Sequence, residues 1–249
     1  MASVFKQSTR VFTTPLLKPQ RESILAAPLS PDAKMLLDYP IEKWLTAPRE
    51  TFNAYSPGIS SSKELAELPP IDPTHPILRR VALYRGAVTE LALDAIVNAA
   101  NEGLLGGGGV DGAIHAAAGP LLLRECAQLS GCPTGECVLT KGYNLPARYV
   151  LHTVGPIGEH PALLHSCYRN ILSLAVSNGL RSVGLCGVST GVYGYPVRPA
   201  TQIALSEVIL ALKEHPTAFD LICFACFHEK SAQVLLEEIE RLRGTPGAL

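Results

Sequence analysis

From residue 78 onward the chain alternates short runs of β-branched and aromatic residues with longer amphipathic stretches. No other feature restricts the fold as strongly. Strands are expected at "VALYR" (81–85), "DAIVNA" (94–99), "CVLT" (137–140), "RYVLHTVG" (148–155), "SVGLCGV" (182–188) and "FDLICFACF" (219–227). Helices are expected at 110–118, 120–129, 161–178, 197–214 and 229–242. In the last of these, Val234, Leu235, Leu236, Ile239 and Leu242 make one apolar stripe, with Glu237, Glu238 and Arg241 off it. Strands that alternate with helices build an α/β fold: a mostly parallel sheet covered on both faces. With 249 residues, 47% of them hydrophobic, the chain can bury one full core.

Before residue 77 the texture is different. Eleven of the 20 prolines fall there, a density that rules out long regular elements. The expected organisation is a Pro-rich extension over 1–77, a domain over 78–243 and a tail over 244–249. Within the extension, "LSPDAKMLLDYPIEKWL" predicts one short helix: Ser30 caps it, Pro31 suits its first position, Asp32 favours its positive end and Pro40 breaks it. The first 21 residues carry Lys6, Arg10, Lys18 and Arg21 and no acid, the composition of an organelle transit peptide and equally of a solvated tail. The extension is thus open to two readings, a targeting signal or an accessory segment folded against the domain.

A net charge of −1 provides no basic field for a nucleic-acid backbone, and no apolar run approaches the ~20 residues needed to span a bilayer. Nucleic-acid and membrane partners are not expected. The seven cysteines are odd in number and scattered through apolar segments, a pattern that suits buried thiols in a reducing compartment. The expectation is an intracellular protein, cytoplasmic or nuclear, with mitochondrial import left open by the acid-free N-terminus. Cys223 and Cys226, three residues apart on a strand, would point to opposite faces, and no His, Asp or Glu cluster has ligand spacing, so no metal is expected.

In such folds ligands bind beyond the carboxyl ends of the strands. The loops after "DAIVNA" and "SVGLCGV" are both unusual: "NAANEGLLGGGGVDG" and "STGVYGYP". Gly107, Gly109 and Gly112 match the G-x-G-x-x-G dinucleotide fingerprint. The match fails in context, because some eight residues separate it from the strand and no acid-ended strand follows at the required distance. What survives is an anion cradle: consecutive amides in a glycine run that opens a helix, with the positive end of the helix dipole behind them. Gly191 and Gly194, with the hydroxyls of Ser189 and Thr190, offer a second cradle, and two facing glycine loops suit a diphosphate. Asp111 would be repelled by that diphosphate unless it serves another part of the ligand. At a helix N-terminus its ionised form is favoured, which suits acceptance from sugar hydroxyls; the alternative role is helix capping. Asn101 can read a neighbouring hydroxyl, and His115, one turn after Asp111, can orient it, move protons or simply be packed.

The runs "DAIVNAANEGLLGGGGVDGAIHAAAGPLL", "GCPTGECVLTKGYNLPARYVLHTVGP", "SCYRNILSLA" and "VSTGVYGYP" together resemble the macrodomain family, and within it the MacroD-type ADP-ribose hydrolases. The resemblance covers residues 78–242. It implies a three-layer α/β/α fold around a central mixed sheet, no cofactor, and a monomer whose partners are ADP-ribose and mono-ADP-ribosylated proteins. It implies that Ala99, Ala100, Asn101, Gly106, Gly107, Gly108, Gly109, Val110 and Asp111 form a first loop around the distal ribose. It further implies that Ser189, Thr190, Gly191, Val192, Tyr193, Gly194 and Tyr195 wrap the diphosphate and that Phe227 lies against adenine. The implied activity is removal of mono-ADP-ribose from acidic side chains and deacetylation of O-acetyl-ADP-ribose, with Asn101, Asp111 and His115 as the catalytic group. A diphosphate oxygen is the expected proton acceptor, because Asp111 is expected to have a depressed pKa. A reader that binds without turnover and an ADP-ribose 1″-phosphate phosphatase are the alternatives. One departure stands out. The family's "GDI" segment, whose aspartate binds the adenine amino group, is here Gly86, Ala87 and Val88, so reduced affinity or relaxed base selectivity is expected, with the catalytic end intact.

Overall fold

Six strands form the central sheet of the computed structural model, which describes residues 18–46 and 62–249. In chain order the regular elements are helices α1 (Lys18–Ala26), α2 (Pro31–Asp38) and α3 (Ile41–Trp44), then strands β1 (Lys63–Glu64), β2 (Val81–Tyr84), β3 (Leu91–Ala92) and β4 (Ala95–Ala100). They continue with α4 (Gly109–Ala118), α5 (Pro120–Leu129), β5 (Cys137–Lys141), β6 (Tyr149–Val154), α6 (Pro161–Ser177), β7 (Ser182–Leu185), α7 (Val197–Glu214), β8 (Leu221–Ala225) and α8 (Glu229–Arg243). The sheet order is β2-β8-β7-β4-β6-β5, and helices flank it. Every neighbouring pair is parallel except β5 with β6. The exception has a simple cause. Residues 142–148 are too few for the dozen or more that a parallel crossover needs, so β6 must return antiparallel. The sheet is therefore mixed.

Strand β6 is buried along its whole length and β4 nearly so, as expected for strands with both faces covered. Ile96, Leu151, Leu164, Ile171 and Tyr149 are among the fully buried side chains of the core. The expected helices match to within a residue, but two strands end early. The 182–188 run stops at Leu185 and the 219–227 run at Ala225, because the residues beyond them turn outward as loops.

The segment before residue 78 is folded onto the domain. Ser30 caps α2, its hydroxyl accepting from the Ala33 amide at 3.2 Å, and the residue before Pro40 is extended, ending the helix there. Helix α1, which no periodicity in the sequence predicts, packs along α5. Lys141 Nζ, at the end of edge strand β5, donates to the carbonyls of Leu36 (3.1 Å), Leu37 (2.5 Å) and Tyr39 (3.0 Å). An ammonium thus satisfies the unpaired carbonyls where α2 ends. Trp44 is buried against Tyr39 and Tyr143, and the Tyr149 hydroxyl donates to the Ile41 carbonyl at 2.6 Å. Further along, β1 pairs in parallel with β3. The accessory reading therefore describes residues 18–46. The targeting reading rests mainly on residues 1–17, which lie outside the described residues. No helix among the described residues is long and apolar enough to cross a membrane.

Candidate active site

The carboxyl ends of β2, β4, β7 and β8 open onto a cavity of about 700 Å³. Both glycine loops line it. Of the residues singled out in the sequence, Gly86, Ala87, Val88, Ala99, Ala100, Asn101, Gly107, Gly108, Gly109, Val110, Asp111, Ser189, Thr190, Gly191, Val192, Tyr193 and Phe227 are on its wall.

Four are not. Tyr195 is buried, and its amide donates to the Ser189 carbonyl at 3.0 Å, so it closes the second loop from behind. Gly194, at φ +73°, donates its amide to the Gly191 carbonyl and serves the turn itself. Gly106 lies beneath the first loop against the His115 ring. His115 packs behind Asp111, away from the cavity, so its position is that of a supporting residue.

In the first loop, the Asn101 side chain is the organising group. Its Oδ1 accepts from the Gly103 amide at 3.0 Å and its Nδ2 donates to the Gly106 carbonyl at 2.8 Å. One Nδ2 hydrogen is left for a ligand. Helix α4 then starts at Gly109, after Gly108, which caps it through extended backbone and no side chain. Amides of the first turn have no partner within the helix, and the residues that carry them, Gly109, Val110 and Asp111, line the cavity, so this helix end suits an anion. The third glycine of the apparent dinucleotide fingerprint has a packing role: a Cβ on Gly112 would sit 2.5 Å from the Gly107 carbonyl oxygen. Its bare α-carbon lets the glycine run lie down on the helix.

Asp111 does not cap the helix. It is almost fully buried, its Oδ1 accepts from Asn98 Nδ2 at 2.7 Å, and its Oδ2 is buried with no partner. That free oxygen, together with Asn101 Nδ2, lies against Gly107. His115 Nε2 stands 3.5 Å from Asp111 Oδ1, within ion-pair distance but not aligned as a hydrogen bond. Burial raises the Asp111 pKa above its ordinary value and outweighs the Asn98 hydrogen bond and the nearby His115. The expectation of a depressed pKa is thereby corrected: desolvation inside the cavity wall wins over the helix N-terminus. Burial likewise lowers the His115 pKa, favouring its neutral form.

Two residues to which the sequence assigns no role hold this carboxylate, Asn98 directly and His152 through Asn98. Asn98 and His152 are both wholly buried, with Asn98 Nδ2 3.0 Å from His152 Nδ1 and Thr140 Oγ1 2.8 Å from His152 Nε2. The Thr140 hydroxyl proton goes to the Lys141 carbonyl, so Thr140 must accept from His152 Nε2–H. His152 Nδ1 is then an acceptor, and the two Asn98 N–H groups go to His152 and Asp111. Burial pushes the His152 pKa down to about 3, which keeps the ring neutral and this order of donors fixed. The signal was present in the sequence as polar residues inside the apolar runs "DAIVNA" and "RYVLHTVG".

In the second loop Ser189 has φ 62° and a buried hydroxyl without a partner, while the Thr190 hydroxyl donates to the Gly187 carbonyl. The Tyr193 carbonyl accepts from the Gly158 amide at 2.7 Å, tying the loop to residues 155–160. At the opposite end the wall is apolar, with Val88, Ala200, Ala204, Phe224 and Leu235, and Phe227 stands 74% exposed at the rim. Glu90 does not replace the acid missing at Ala87. Its carboxylate is turned back onto the Tyr84 hydroxyl (2.5 Å) and the Ala87 amide (3.2 Å), and it is not on the wall. Among the described residues no group of three or more His, Cys, Asp or Glu side chains is placed to hold a metal ion.

The Macro domain family matches residues 97–204, the stretch that contains both loops. A Trypanosoma brucei macrodomain, crystallised in complex with ADP-ribose, has a TM-score of 0.87 and 59% identity, covering 89% of this chain and 95% of that one. This chain belongs to the Macro domain family. The share of the macrodomain covered there exceeds residues 78–249, so part of its N-terminal segment has a counterpart in the trypanosome protein. A macro domain-containing protein of Mesorhizobium japonicum is 48% identical over 171 residues, 67% of this chain and 97% of the relative. The ADP-ribose glycohydrolase MACROD2 of Xenopus laevis is 49% identical over 159 residues. This alignment covers 61% of the present macrodomain but only 38% of that longer relative.

Proposed function

We propose that this macrodomain is a hydrolase acting at the distal ribose of ADP-ribose conjugates, releasing mono-ADP-ribose from acidic side chains of proteins and acetate from O-acetyl-ADP-ribose. The observation that carries the reading is the buried, unpartnered Oδ2 of Asp111 beside the spare N–H of Asn101. A buried carboxylate oxygen gains most from a polar partner that the ligand brings, here a ribose hydroxyl or a water held beside the ribose.

The ligand's diphosphate lies between the first-turn amides of α4 and the 189–193 loop, where backbone N–H groups and the helix dipole favour an anion. Its base end takes the apolar wall at Val88 and Phe224 with Phe227 at the rim. The distal ribose then reaches Asn101, Asp111 and Tyr193. Asn101 Nδ2 donates to one ribose hydroxyl, and Asp111 Oδ2 accepts from a hydroxyl or from the attacking water. A raised pKa makes Asp111 a better proton acceptor than an ordinary carboxylate, so Asp111 itself takes the water proton in place of a diphosphate oxygen. For a protein conjugate the water oxygen bonds to the anomeric carbon as its bond to the side-chain carboxylate breaks and the carboxylate departs; for O-acetyl-ADP-ribose it adds to the acetyl carbon, the ribose oxygen departs and takes the proton back from Asp111, and acetate is released. The names of the relatives and the bound ADP-ribose in the trypanosome structure support the ligand class.

Incubation of the wild type and Asp111→Ala with a mono-ADP-ribosylated protein and with O-acetyl-ADP-ribose, followed by product identification, tests this reading. Turnover by the wild type alone supports it. Tight ADP-ribose binding with turnover of neither substrate by either form makes the protein a reader.

A further inference from the structure

We infer that Arg21, in helix α1, is a positioning residue for the turn that carries Asn101, so that α1 is part of the machinery of the site. The inference builds on the function proposed above.

The turn over residues 101–104 presents three carbonyls in succession. Asn101 O accepts from the Leu104 amide at 3.1 Å and Glu102 O from the Cys132 amide at 3.0 Å. The third, on buried Gly103, accepts from Arg21 Nη2 at 2.9 Å, a donor 82 residues earlier in the chain. The Gly103 amide in turn donates to Asn101 Oδ1. The guanidinium is thus one peptide unit away from the side chain that presents an N–H to the cavity.

The guanidinium has no carboxylate partner among the described residues, its Nη1 is buried without a hydrogen bond, and burial lowers its pKa. The side chain as a whole is only partly buried, but desolvating a guanidinium nitrogen without a partner costs free energy. What that cation touches is the loop that must cradle an anion. Helix α1 is held in place from α5, where Arg124 Nη1 donates to the Ala27 carbonyl at 2.9 Å and also to the Ile24 carbonyl. Lys18 is on the same helix, but its nearest charged partner is Glu22 on the solvent side.

The test uses the full chain with Arg21→Ala, Arg21→Lys, Arg124→Ala and the control Lys18→Ala. Turnover of O-acetyl-ADP-ribose, ADP-ribose affinity, amide hydrogen exchange and thermal unfolding are read for each. Arg21→Ala should lower kcat about tenfold, the size expected from losing a charged hydrogen bond that aligns a reacting group. It should also speed exchange at Gly103 and Leu104, with the unfolding temperature unchanged. Arg21→Lys should recover part of kcat, Arg124→Ala should follow Arg21→Ala, and Lys18→Ala should match the wild type. The inference fails if Arg21→Ala leaves kcat and local exchange unchanged, or if exchange rises evenly over the whole domain as the unfolding temperature falls. It fails equally if Lys18→Ala reproduces the effect. Exchange at Gly103 and Leu104 does not depend on hydrolysis, so a wild type that turns nothing over would overturn the proposed function while this readout still decides the role of Arg21.

Discussion

Asn98 donates one amide hydrogen to Asp111 at 2.7 Å, and this bond decides which carboxylate oxygen faces the cavity. Oδ1 is tied down from strand β4, and Oδ2 is left for the ligand. Replacing Asp111 with Asn preserves the shape and removes the charge. Turnover should fall by about 10²-fold or more, the scale for losing a positioned proton acceptor. ADP-ribose affinity should change far less. Because burial disfavours the ionised carboxylate, Asp111→Asn should also unfold at a higher temperature at pH values above the raised pKa of Asp111, as calorimetry would show.

The acid limb of the pH profile follows from the same burial. The ionised form of Asp111 is the active one, and its pKa lies above the ordinary aspartate value of 3.8. Activity should therefore be lost as pH falls through that raised pKa, on an acid limb at higher pH than an ordinary aspartate would give. The limb belongs to Asp111 and His115 titrating together as a pair. Asn98 lowers the Asp111 pKa, so Asn98→Ala should move the limb to higher pH. A limb that stays in place when kcat/KM is measured for this variant would leave Asn98 with no influence on the carboxylate.

Thr140→Val tests the buried histidine. It leaves His152 Nε2–H without its acceptor at a wholly buried position. The expected cost is about 1–3 kcal/mol of unfolding free energy. A fall in kcat should accompany it, because His152 then no longer holds the Asn98 amide in one orientation. Denaturant titration and initial rates on the same sample measure both.

At the base end, Ala87→Asp should tighten ADP-ribose binding by about 1–3 kcal/mol if the new carboxylate reaches the adenine amino group. Ala87 is on the cavity wall and Glu90 is occupied elsewhere, so no existing side chain competes for that contact. Titration calorimetry with ADP-ribose and with its inosine counterpart would read the gain and its base dependence.

Gly112→Ala probes how the glycine run lies on its helix. The added Cβ meets backbone, the Gly107 carbonyl at 2.5 Å, so the loop and not a flexible side chain must move. A stability loss of about 1–3 kcal/mol is expected. Substrate affinity should drop with it, measurable by the same calorimetry.

The alternation of strands and helices after residue 78 was legible because burial on both sheet faces demands continuous apolar strands, and helix crossovers demand amphipathic stripes. The two glycine loops were legible too, since a bare backbone between such elements has few other uses. Tertiary structure alone decided the charge behaviour of Asp111. A helix N-terminus lowers a carboxylate pKa locally, whereas the desolvation that raises it comes from walls built by distant parts of the chain. It also decided the roles of Asn98 and His152, which face each other across β4 and β6 in a register that only sheet pairing sets. Arg21 is the extreme case. Its Pro-rich surroundings read as an appendage, and its partner is a carbonyl 82 residues away. Sequence patterns report which side of an element is apolar; they carry no information on which remote donor will satisfy a buried oxygen, because that follows from three-dimensional proximity.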